Sequence, residues 1–218
     1  MIEAVIFDLD GVLVSTDEQH YQAWKRLARE EEIPFDRAVN ESLRGISRMA
    51  SLDIILEKAE RQYEPATKKE LAKRKNNLYV QLIQRLTPAD MLPGAMSNLA
   101  ELKAAGIRVA VGSSSRNTGE ILSRIGLSGY FDAVADGNDI THSKPDPEVF
   151  LVAMNRLGQT PEQCLVVEDA EAGVEAALAA GMRVLGVGAA ASSKKATHTV
   201  ASLAHFSILQ WIQELDKA

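Results

Sequence analysis

The stretch Val5-Ile6-Phe7-Asp8-Leu9-Asp10-Gly11-Val12 decides the fold, because a short apolar run ends there in two carboxylates and a glycine. The run is rich in β-forming residues and predicts a buried strand that delivers Asp8 to its carboxyl end, with a turn at Gly11. In open α/β sheets, ligands bind at that end of the strands. Two neighbouring acids repel each other, so the pair favours a site for a cation or a shared proton. An Asx-type turn that only ends the strand is the alternative.

The composition is that of a globular protein and argues against several functional classes. The chain has 218 residues, of which 46% are hydrophobic and 25% charged, enough for one α/β domain with a modest insertion. The net charge of −6 argues against nucleic acid as a partner, since a nucleic-acid binder needs a basic face. No apolar run approaches the roughly 20 residues that cross a bilayer, the start has no secretory signal, and the single cysteine, Cys164, forms no intramolecular disulfide. We expect a cytoplasmic monomer without a membrane partner.

Two different patterns follow the first strand. Residues 15–87 contain no convincing strand and predict helices at Asp17–Glu31, Ala50–Arg61 and Thr67–Leu86. From Leu92 onward, strands alternate with helices that end at glycines, and this alternation predicts a parallel sheet with right-handed crossovers.

The resulting architecture is an α/β fold with a doubly wound, Rossmann-like parallel sheet. We predict a core domain of residues 1–14 and 88–218, interrupted by an all-helical cap domain of residues 15–87, here called the lid. Both ends of this insertion must lie beside Asp8 and Asp10, because it begins directly after the first strand. A lid hinged at the edge of the sheet is the simplest geometry.

Reactive side chains follow the predicted strands or precede a helix of the core. They are Asp8 and Asp10, Ser113, Ser114, Ser115, Arg116 and Asn117, Lys144, and the pair Glu168 and Asp169. Because strand ends of a parallel sheet meet at one edge, these groups are expected to converge. The serines could instead cap the following helix, and Lys144 could be a solvated loop lysine.

This set of motifs resembles the haloacid-dehalogenase superfamily, whose pattern it matches over the whole core. The resemblance implies that Asp8 is a nucleophile that forms an aspartyl-phosphate and that Asp10 is the general acid/base. It also implies that Ser113 and nearby backbone N–H groups hold the phosphoryl oxygens, while Lys144 neutralises charge. One Mg²⁺ would be held by Asp8, the backbone carbonyl of Asp10, and the two acids Glu168 and Asp169.

The predicted lid carries further polar groups at helical spacing. Lys75 shares a face with Leu71, Leu78 and Leu82, so it either points at an anion in the cleft or extends to the surface. His20 shares a face with Trp24 and Leu27 and could be a buried structural histidine. Arg44 and Arg48 flank a turn and suit bidentate phosphate binding, although a solvated loop is the alternative.

Within the superfamily, the lid resembles that of the β-phosphoglucomutase family. The stretches that match include Thr16, His20, Arg44, Gly45, Ser47, Arg48, Lys75, and Ser113 to Asn117. The resemblance implies that these residues bind a sugar phosphate, and that β-D-glucose 1-phosphate and D-glucose 6-phosphate interconvert through β-glucose 1,6-bisphosphate, which also acts as activator.

The sequence departs from the family pattern at Ser15, Arg44, Met49 and Ala50, which leaves the preferred sugar phosphate open. Two alternatives to the mutase function remain. One is an Mg²⁺-dependent sugar-phosphate phosphatase with the same core, and the other is a non-catalytic phosphosugar-binding protein. The complete set of core acids and Lys144 argues against the second.

Overall fold

The computed structural model describes residues 1–43 and 46–215. In this part of the chain six strands form a single sheet in the order β3-β2-β1-β4-β5-β6, and every pair is parallel. The strands are β1 (Ala4–Phe7), β2 (Arg108–Gly112), β3 (Ala133–Ala135), β4 (Cys164–Glu168), β5 (Arg183–Val187) and β6 (His198–Val200). The predicted doubly wound α/β architecture is confirmed.

The helices divide into two groups. Those between β1 and β2 are α1 (Asp17–Glu30), α2 (Arg37–Glu41), α3 (Arg48–Leu56), α4 (Pro65–Ile83) and, beyond the insertion, α5 (Ala95–Ala104). Those that alternate with the later strands are α6 (Thr118–Arg124), α7 (Glu148–Leu157), α8 (Glu171–Ala179) and α9 (Ile208–Leu215). No described helix is long and apolar enough to cross a membrane.

The central strand β1 is buried on both faces, as its unbroken apolar sequence requires. Val5 and Phe7 face one hydrophobic cluster, which includes residues of α5, α6 and α9. Ala4 and Ile6 face the other, which includes residues of α7 and α8. Each fully buried Ile or Phe side chain contributes about 1.5–3 kcal/mol, so this strand is held firmly and the residue that follows it has a fixed position.

The helical insertion has a hydrophobic core of its own. Its cluster includes Trp24 and Leu27 of α1, Leu52 of α3 and Leu71 of α4. The chain enters and leaves the insertion at one place, since the Leu92 N–H donates to the Leu13 carbonyl at 2.9 Å and Val14 bridges to Met91. These contacts support our division into a core and a lid of residues 15–87, which stays a proposal.

Several local features differ from the expectation. Helix α2 and strand β6 were not predicted, and α3 begins at Arg48 because the Ser47 hydroxyl accepts the Ala50 N–H at 3.3 Å as its N-cap. The pair Asp146-Pro147 predicts a helix with Asp146 as N-cap and Pro147 as its first residue, but α7 begins one residue later: Pro147 is its N-cap, and Asp146 accepts from the Glu148 N–H. These differences concern boundaries and short elements, which are decided by capping contacts.

Candidate active site

The register of the sheet brings the predicted strand-end residues together. Phe7 of β1 pairs with Val111 of β2 and with Val167 of β4. The next residue along each strand therefore lies at the same level, so that Asp8 is flanked by Gly112 and Glu168. This convergence is what a parallel sheet imposes on residues that follow its strands.

A buried ion-pair network occupies this edge. The Lys144 Nζ donates to Asp8 Oδ1 at 2.5 Å and to Glu168 Oε2 at 3.0 Å, and it lies 4.6 Å from the centre of the Phe150 ring. Lys144 is only 5% exposed, which excludes the solvated-loop alternative. Burial alone would lower the pKa of Lys144, but the charges of Asp8 and Glu168 outweigh it and raise the pKa.

The same edge carries more negative than positive charge. Burial raises the pKa of Glu168, and the nearby Asp8 adds to the rise while Lys144 opposes it. Asp8, Glu168 and Asp169 each offer a carboxylate oxygen, and these oxygens all lie within 4.8 Å of one another. Three acids around one lysine leave an excess of negative charge that a hard cation with oxygen ligands would compensate.

Two glycines leave space for this cluster. A Cβ on Gly11, whose φ is +83°, would lie 2.0 Å from the Asp169 Oδ2, and one on Gly173 of α8 would lie 2.1 Å from the Glu168 Cδ. Any other residue at either position would displace a carboxylate. The residues present therefore fit the expected Mg²⁺. Glycine is required at position 11, after the Asp8–Asp10 pair, because a larger residue would collide with the Asp169 carboxylate.

Asp10 accepts a hydrogen bond from Thr16, at the start of the helical insertion. The Thr16 hydroxyl donates to Asp10 Oδ1 and in turn accepts from the Tyr79 hydroxyl of α4 at 3.0 Å. Burial raises the pKa of Asp10 to about 7, against the hydrogen bond from Thr16, and the charge of Asp8 adds to the rise. A carboxyl group with such a pKa can donate and accept a proton near neutral pH.

On the lid side of the cleft, Lys75 is buried rather than extended to the surface. It is 2% exposed, its Nζ lies 2.7 Å from His20 Nδ1, and it lies 4.6 and 4.7 Å from the ring centres of Trp24 and Tyr79. Burial lowers the pKa of Lys75 well below its usual value, and the charge of Arg48 adds to this. Burial also lowers the pKa of His20, with further effects of Lys75 and Arg48. The imidazole is therefore neutral, and its Nδ1 accepts the hydrogen bond.

Two guanidinium groups line the same cleft, namely Arg48 at the start of α3 and Arg116 in the loop after β2. Burial, and then the like charge of Arg116, lower the pKa of Arg48. Nearby, the Asn117 amide donates to Asn76 Oδ1 of α4 at 3.0 Å. This hydrogen bond joins the core loop to the lid, and the two arginines give this part of the cleft a positive potential.

The serine loop after β2 is fixed by its own hydrogen bonds. Ser113 Oγ accepts from the Ser115 N–H, and Ser115 Oγ accepts from the Asn117 N–H, both at 3.2 Å. Asn117 occupies the N-cap of α6 without a side-chain capping bond. The Ser114 Oγ is buried and has no hydrogen-bond partner among the described residues, so its hydroxyl can donate to a ligand in the cleft.

Most of the predicted site residues line one cleft between the sheet edge and the lid. Those that do are Asp8, Asp10, Thr16, His20, Arg48, Lys75, Ser113, Ser114, Ser115, Arg116, Asn117, Lys144, Glu168 and Asp169. Arg44 and Gly45 lie outside the described residues. Ser47 does not line the cleft, and its hydroxyl caps α3. Its role in binding substrate stays a prediction.

Other residues that line the cleft were not predicted from the sequence, above all Tyr79 and Asn76. Tyr79 follows Lys75 by four residues and therefore lies on the same face of α4. That face is formed by Leu71, Ala72, Lys75, Tyr79 and Ile83, whereas Leu78 and Leu82 are only partly buried. The spacing could have indicated Tyr79, but not the partner of its hydroxyl.

Comparison with known proteins gives a consistent result. The haloacid dehalogenase-like hydrolase family matches residues 2–181. The chain is 48% identical to a β-phosphoglucomutase of Bacillus subtilis over 189 residues, which are 86% of this chain and 84% of that protein. It is 33% identical to a phosphorylated carbohydrates phosphatase of Thermotoga maritima, over 85% of each chain.

The fold agrees with that of a solved relative. The crystal structure of a β-phosphoglucomutase from Clostridium difficile superimposes with a TM-score of 0.92 at 42% identity, covering 98% of this chain and 96% of that one. The protein is thus an enzyme of the phosphoryl-transfer type, and the sequence-based assignment is confirmed. The chain belongs to the haloacid dehalogenase-like hydrolase family and, within it, to the β-phosphoglucomutases.

Proposed function

We propose that the protein interconverts β-D-glucose 1-phosphate and D-glucose 6-phosphate. The observation that carries this proposal is that one cleft is lined at one place by the Asp8 carboxylate with Lys144 and at another by Arg48 and Arg116. A mutase must hold a substrate with two phosphate positions, whereas a phosphatase needs one. The names of the relatives from Bacillus subtilis and Clostridium difficile support the same reaction.

In the first half of the proposed reaction, a carboxylate oxygen of Asp8 attacks the phosphorus at one end of the bound bisphosphate. The bond between Asp8 and phosphorus forms as the bond between phosphorus and the sugar oxygen breaks, and Asp10 donates its proton to the departing oxygen. The raised pKa of Asp10, about 7, leaves a large fraction protonated at neutral pH, as a general acid requires. The product is an aspartyl-phosphate on Asp8.

The attack of one anion on another requires positive charge at the site. Lys144 supplies part of it, since its ammonium lies against Asp8 and Glu168. Asp8, the backbone carbonyl of Asp10, Glu168 and Asp169 would hold the Mg²⁺. When bound, the ion would neutralise charge on the phosphoryl oxygens.

In the second half, the phosphoryl group passes from Asp8 to the free hydroxyl of a sugar monophosphate. The acceptor hydroxyl gives its proton to Asp10 and attacks the phosphorus, and the bond to Asp8 breaks. Transfer from phosphorylated Asp8 to either monophosphate yields β-glucose 1,6-bisphosphate, which then rotates and phosphorylates Asp8 again from its other end. Arg48 and Asn117, helped by Arg116, would hold the phosphate that is not reacting.

A coupled assay tests this proposal against the phosphatase alternative. The protein is given β-glucose 1-phosphate, Mg²⁺ and a trace of the bisphosphate, and glucose 6-phosphate and free phosphate are measured together. We expect glucose 6-phosphate as the main product, none from Asp8→Asn, and strong dependence on the bisphosphate. Dominant release of phosphate would replace the mutase proposal with a phosphatase, the activity that the Thermotoga maritima relative is named for.

Arg48→Ala tests the distal phosphate site separately. The loss of a charge-assisted phosphate contact costs about 1.5–3 kcal/mol, or roughly 10- to 150-fold in turnover. We expect that loss with the sugar phosphates and a much smaller one in hydrolysis of 4-nitrophenyl phosphate, which has no second phosphate position to fill. Arg26→Ala is the matched control, because Arg26 is exposed and pairs with Glu30. Equal losses on both substrates would contradict the assignment.

A further inference from the structure

The structure contains a buried hydrogen-bond chain that runs from the lid to Asp10. Tyr79 of α4 donates its hydroxyl proton to Thr16 Oγ1 at 3.0 Å, and the Thr16 hydroxyl donates to Asp10 Oδ1. Tyr79 and Thr16 are each 1% exposed. Water therefore has little access to the chain, and each hydroxyl depends on the partners that the fold provides.

The direction of this chain follows from the number of protons available. A hydroxyl carries one proton and two acceptor lone pairs. Because Tyr79 donates to Thr16, one lone pair of Thr16 is occupied and its own proton is directed at Asp10. Successive hydrogen bonds of this kind strengthen one another in a buried environment. The carboxyl group of Asp10 thus receives a donor whose direction is set by Tyr79.

The Thr16 side chain makes this contact instead of capping helix α1. It occupies the N-cap position of α1, where a threonine side chain normally accepts a backbone N–H of the first turn, yet its side chain makes no capping bond. The hydroxyl instead connects Tyr79 with Asp10. The local sequence alone would have favoured the capping geometry, so the tertiary contact has overridden it.

Tyr79 is itself fixed by its surroundings. Its ring belongs to the hydrophobic cluster of the core, together with Leu9, Leu13 and Val14 that flank Asp10 and the hinge. The His20 ring lies 4.2 Å from it, centre to centre, and the Lys75 Nζ 4.7 Å from its centre. These contacts hold the ring with its hydroxyl close to the point where the chain enters the lid.

We propose that Tyr79 is a positioning residue that, through Thr16, orients the carboxyl group of Asp10 for proton transfer. This inference rests on the proposed function, in which Asp10 protonates the departing sugar oxygen. Without the Tyr79 hydroxyl, the Thr16 side chain is free to turn toward the first turn of α1, and Asp10 loses a fixed donor. The ring and its packing fix the position of the hydroxyl, and the hydroxyl makes the contact with Thr16.

Tyr79→Phe tests the inference, because it removes the hydroxyl and keeps the ring. Transfer to and from a sugar phosphate needs a proton at the departing oxygen, whereas acetyl phosphate releases acetate without one. We expect kcat on the sugar phosphates to fall roughly 10- to 100-fold, a part of the 10²- to 10⁴-fold that general acid–base catalysis supplies. We expect KM to stay within about twofold of the wild-type value. The rate at which acetyl phosphate phosphorylates Asp8, measured by intact mass, should also stay within about twofold, since neither quantity involves this proton.

Two further variants separate positioning from a general structural effect. Tyr63→Phe removes another tyrosine hydroxyl of the lid, which is only partly buried and donates to Glu31 at 3.3 Å, and it is expected to leave both rates unchanged. Thr16→Val is expected to reproduce the kcat loss, and adding Tyr79→Phe to it to cause no further loss, because the two residues act in one chain.

The outcomes are distinct. Unchanged sugar-phosphate turnover in Tyr79→Phe, or equal losses with the sugar phosphates and acetyl phosphate, would overturn the inference while the proposed function stands. Additive losses in Thr16→Val and Tyr79→Phe would overturn it as well. A wild-type protein that accepts acetyl phosphate but turns over no sugar phosphate would overturn the proposed function, and the inference with it.

Discussion

Among the described residues, two buried lysines line one cleft, and their surroundings are opposite. Lys144 at the sheet edge lies between the carboxylates of Asp8 and Glu168, and its pKa is raised. Lys75 in the lid contacts a neutral imidazole and two aromatic faces, and its pKa is lowered. Both are almost inaccessible to solvent, at 5% and 2% exposure.

The contrast shows that burial alone does not decide what a charged side chain does. At the sheet edge, acids from two strands hold the Lys144 ammonium, so the lysine and the acids stabilise each other's charged forms. In the lid, burial makes the charged form of Lys75 costly, and a negatively charged ligand in the cleft would relieve that cost. We infer that Lys144 stabilises the folded protein, whereas Lys75 is kept for binding.

Of the substitutions that test this contrast between the two lysines, Lys144→Met is expected to have the largest effect on stability and turnover. Removing one partner leaves buried carboxylates uncompensated, which costs about 3–5 kcal/mol of the free energy of unfolding. Turnover should fall roughly 10²- to 10³-fold, as for the loss of one group that stabilises the transition state. Thermal unfolding with and without Mg²⁺ measures the first effect, and the ion should recover part of it. A variant as stable as the wild type in EDTA would contradict the assigned role of Lys144.

Lys75→Met should separate stability from activity. It relieves the cost of burying an ammonium, but it removes the hydrogen bond to His20, worth about 1–3 kcal/mol, and the contacts with two aromatic rings, worth about 0.5–2 kcal/mol. These terms oppose each other, so we expect a change in the free energy of unfolding of less than about 2 kcal/mol. Denaturant titration measures it alongside KM for the sugar phosphate, which should rise roughly tenfold or more with the loss of a charged contact.

His20, which contacts Lys75, allows the same contrast to be tested through the pH dependence of stability. The folded-state pKa of His20 lies well below the model-peptide value of 6.5, so below that pH the unfolded state binds more protons than the folded state. Stability from His20 is therefore present above about pH 6.5 and lost as the pH falls toward the folded-state pKa. In EDTA between pH 7 and 5, His20→Gln should lose stability less steeply than the wild type, by at most about 1.4 kcal/mol per pH unit. Parallel curves would show that His20 titrates normally.

The smallest effect is expected from a lid cation at the surface. Arg74 donates to Glu30 at 2.6 Å and to Glu31 at 2.9 Å, and its side chain is 38% exposed. Ion pairs of this kind are worth less than about 1 kcal/mol. Arg74→Ala should therefore change the unfolding midpoint only slightly and leave turnover unaltered. A loss of unfolding free energy clearly above about 1 kcal/mol would show instead that the lid is held by its surface charges.

Much of the core site could be predicted from the sequence, for a definite reason. A parallel sheet brings the ends of its strands to one edge, so Asp8, Glu168 and Asp169 had to meet once their strands were recognised. The glycine at position 11 could be placed at the turn, but its steric need became clear only from the carboxylate of Asp169 beside it. The ranges of α1 and α4 were close to correct, because their apolar spacing persists over several turns. The helix predicted at Ala50–Arg61 is shifted, since α3 spans Arg48–Leu56.

By itself, then, the sequence determined the alternation of strands and helices, the helical insertion after β1 and the residue types at the sheet edge, all of which follow from local pattern. Only the tertiary structure decided that Lys75 contacts His20 and that Tyr79 reaches Asp10 through Thr16. These contacts depend on how α4 packs against α1 and on which side chains the relative orientation of the two helices brings within reach. Helical spacing gives a residue its face, but the partner across that face is set by packing between elements distant in the chain.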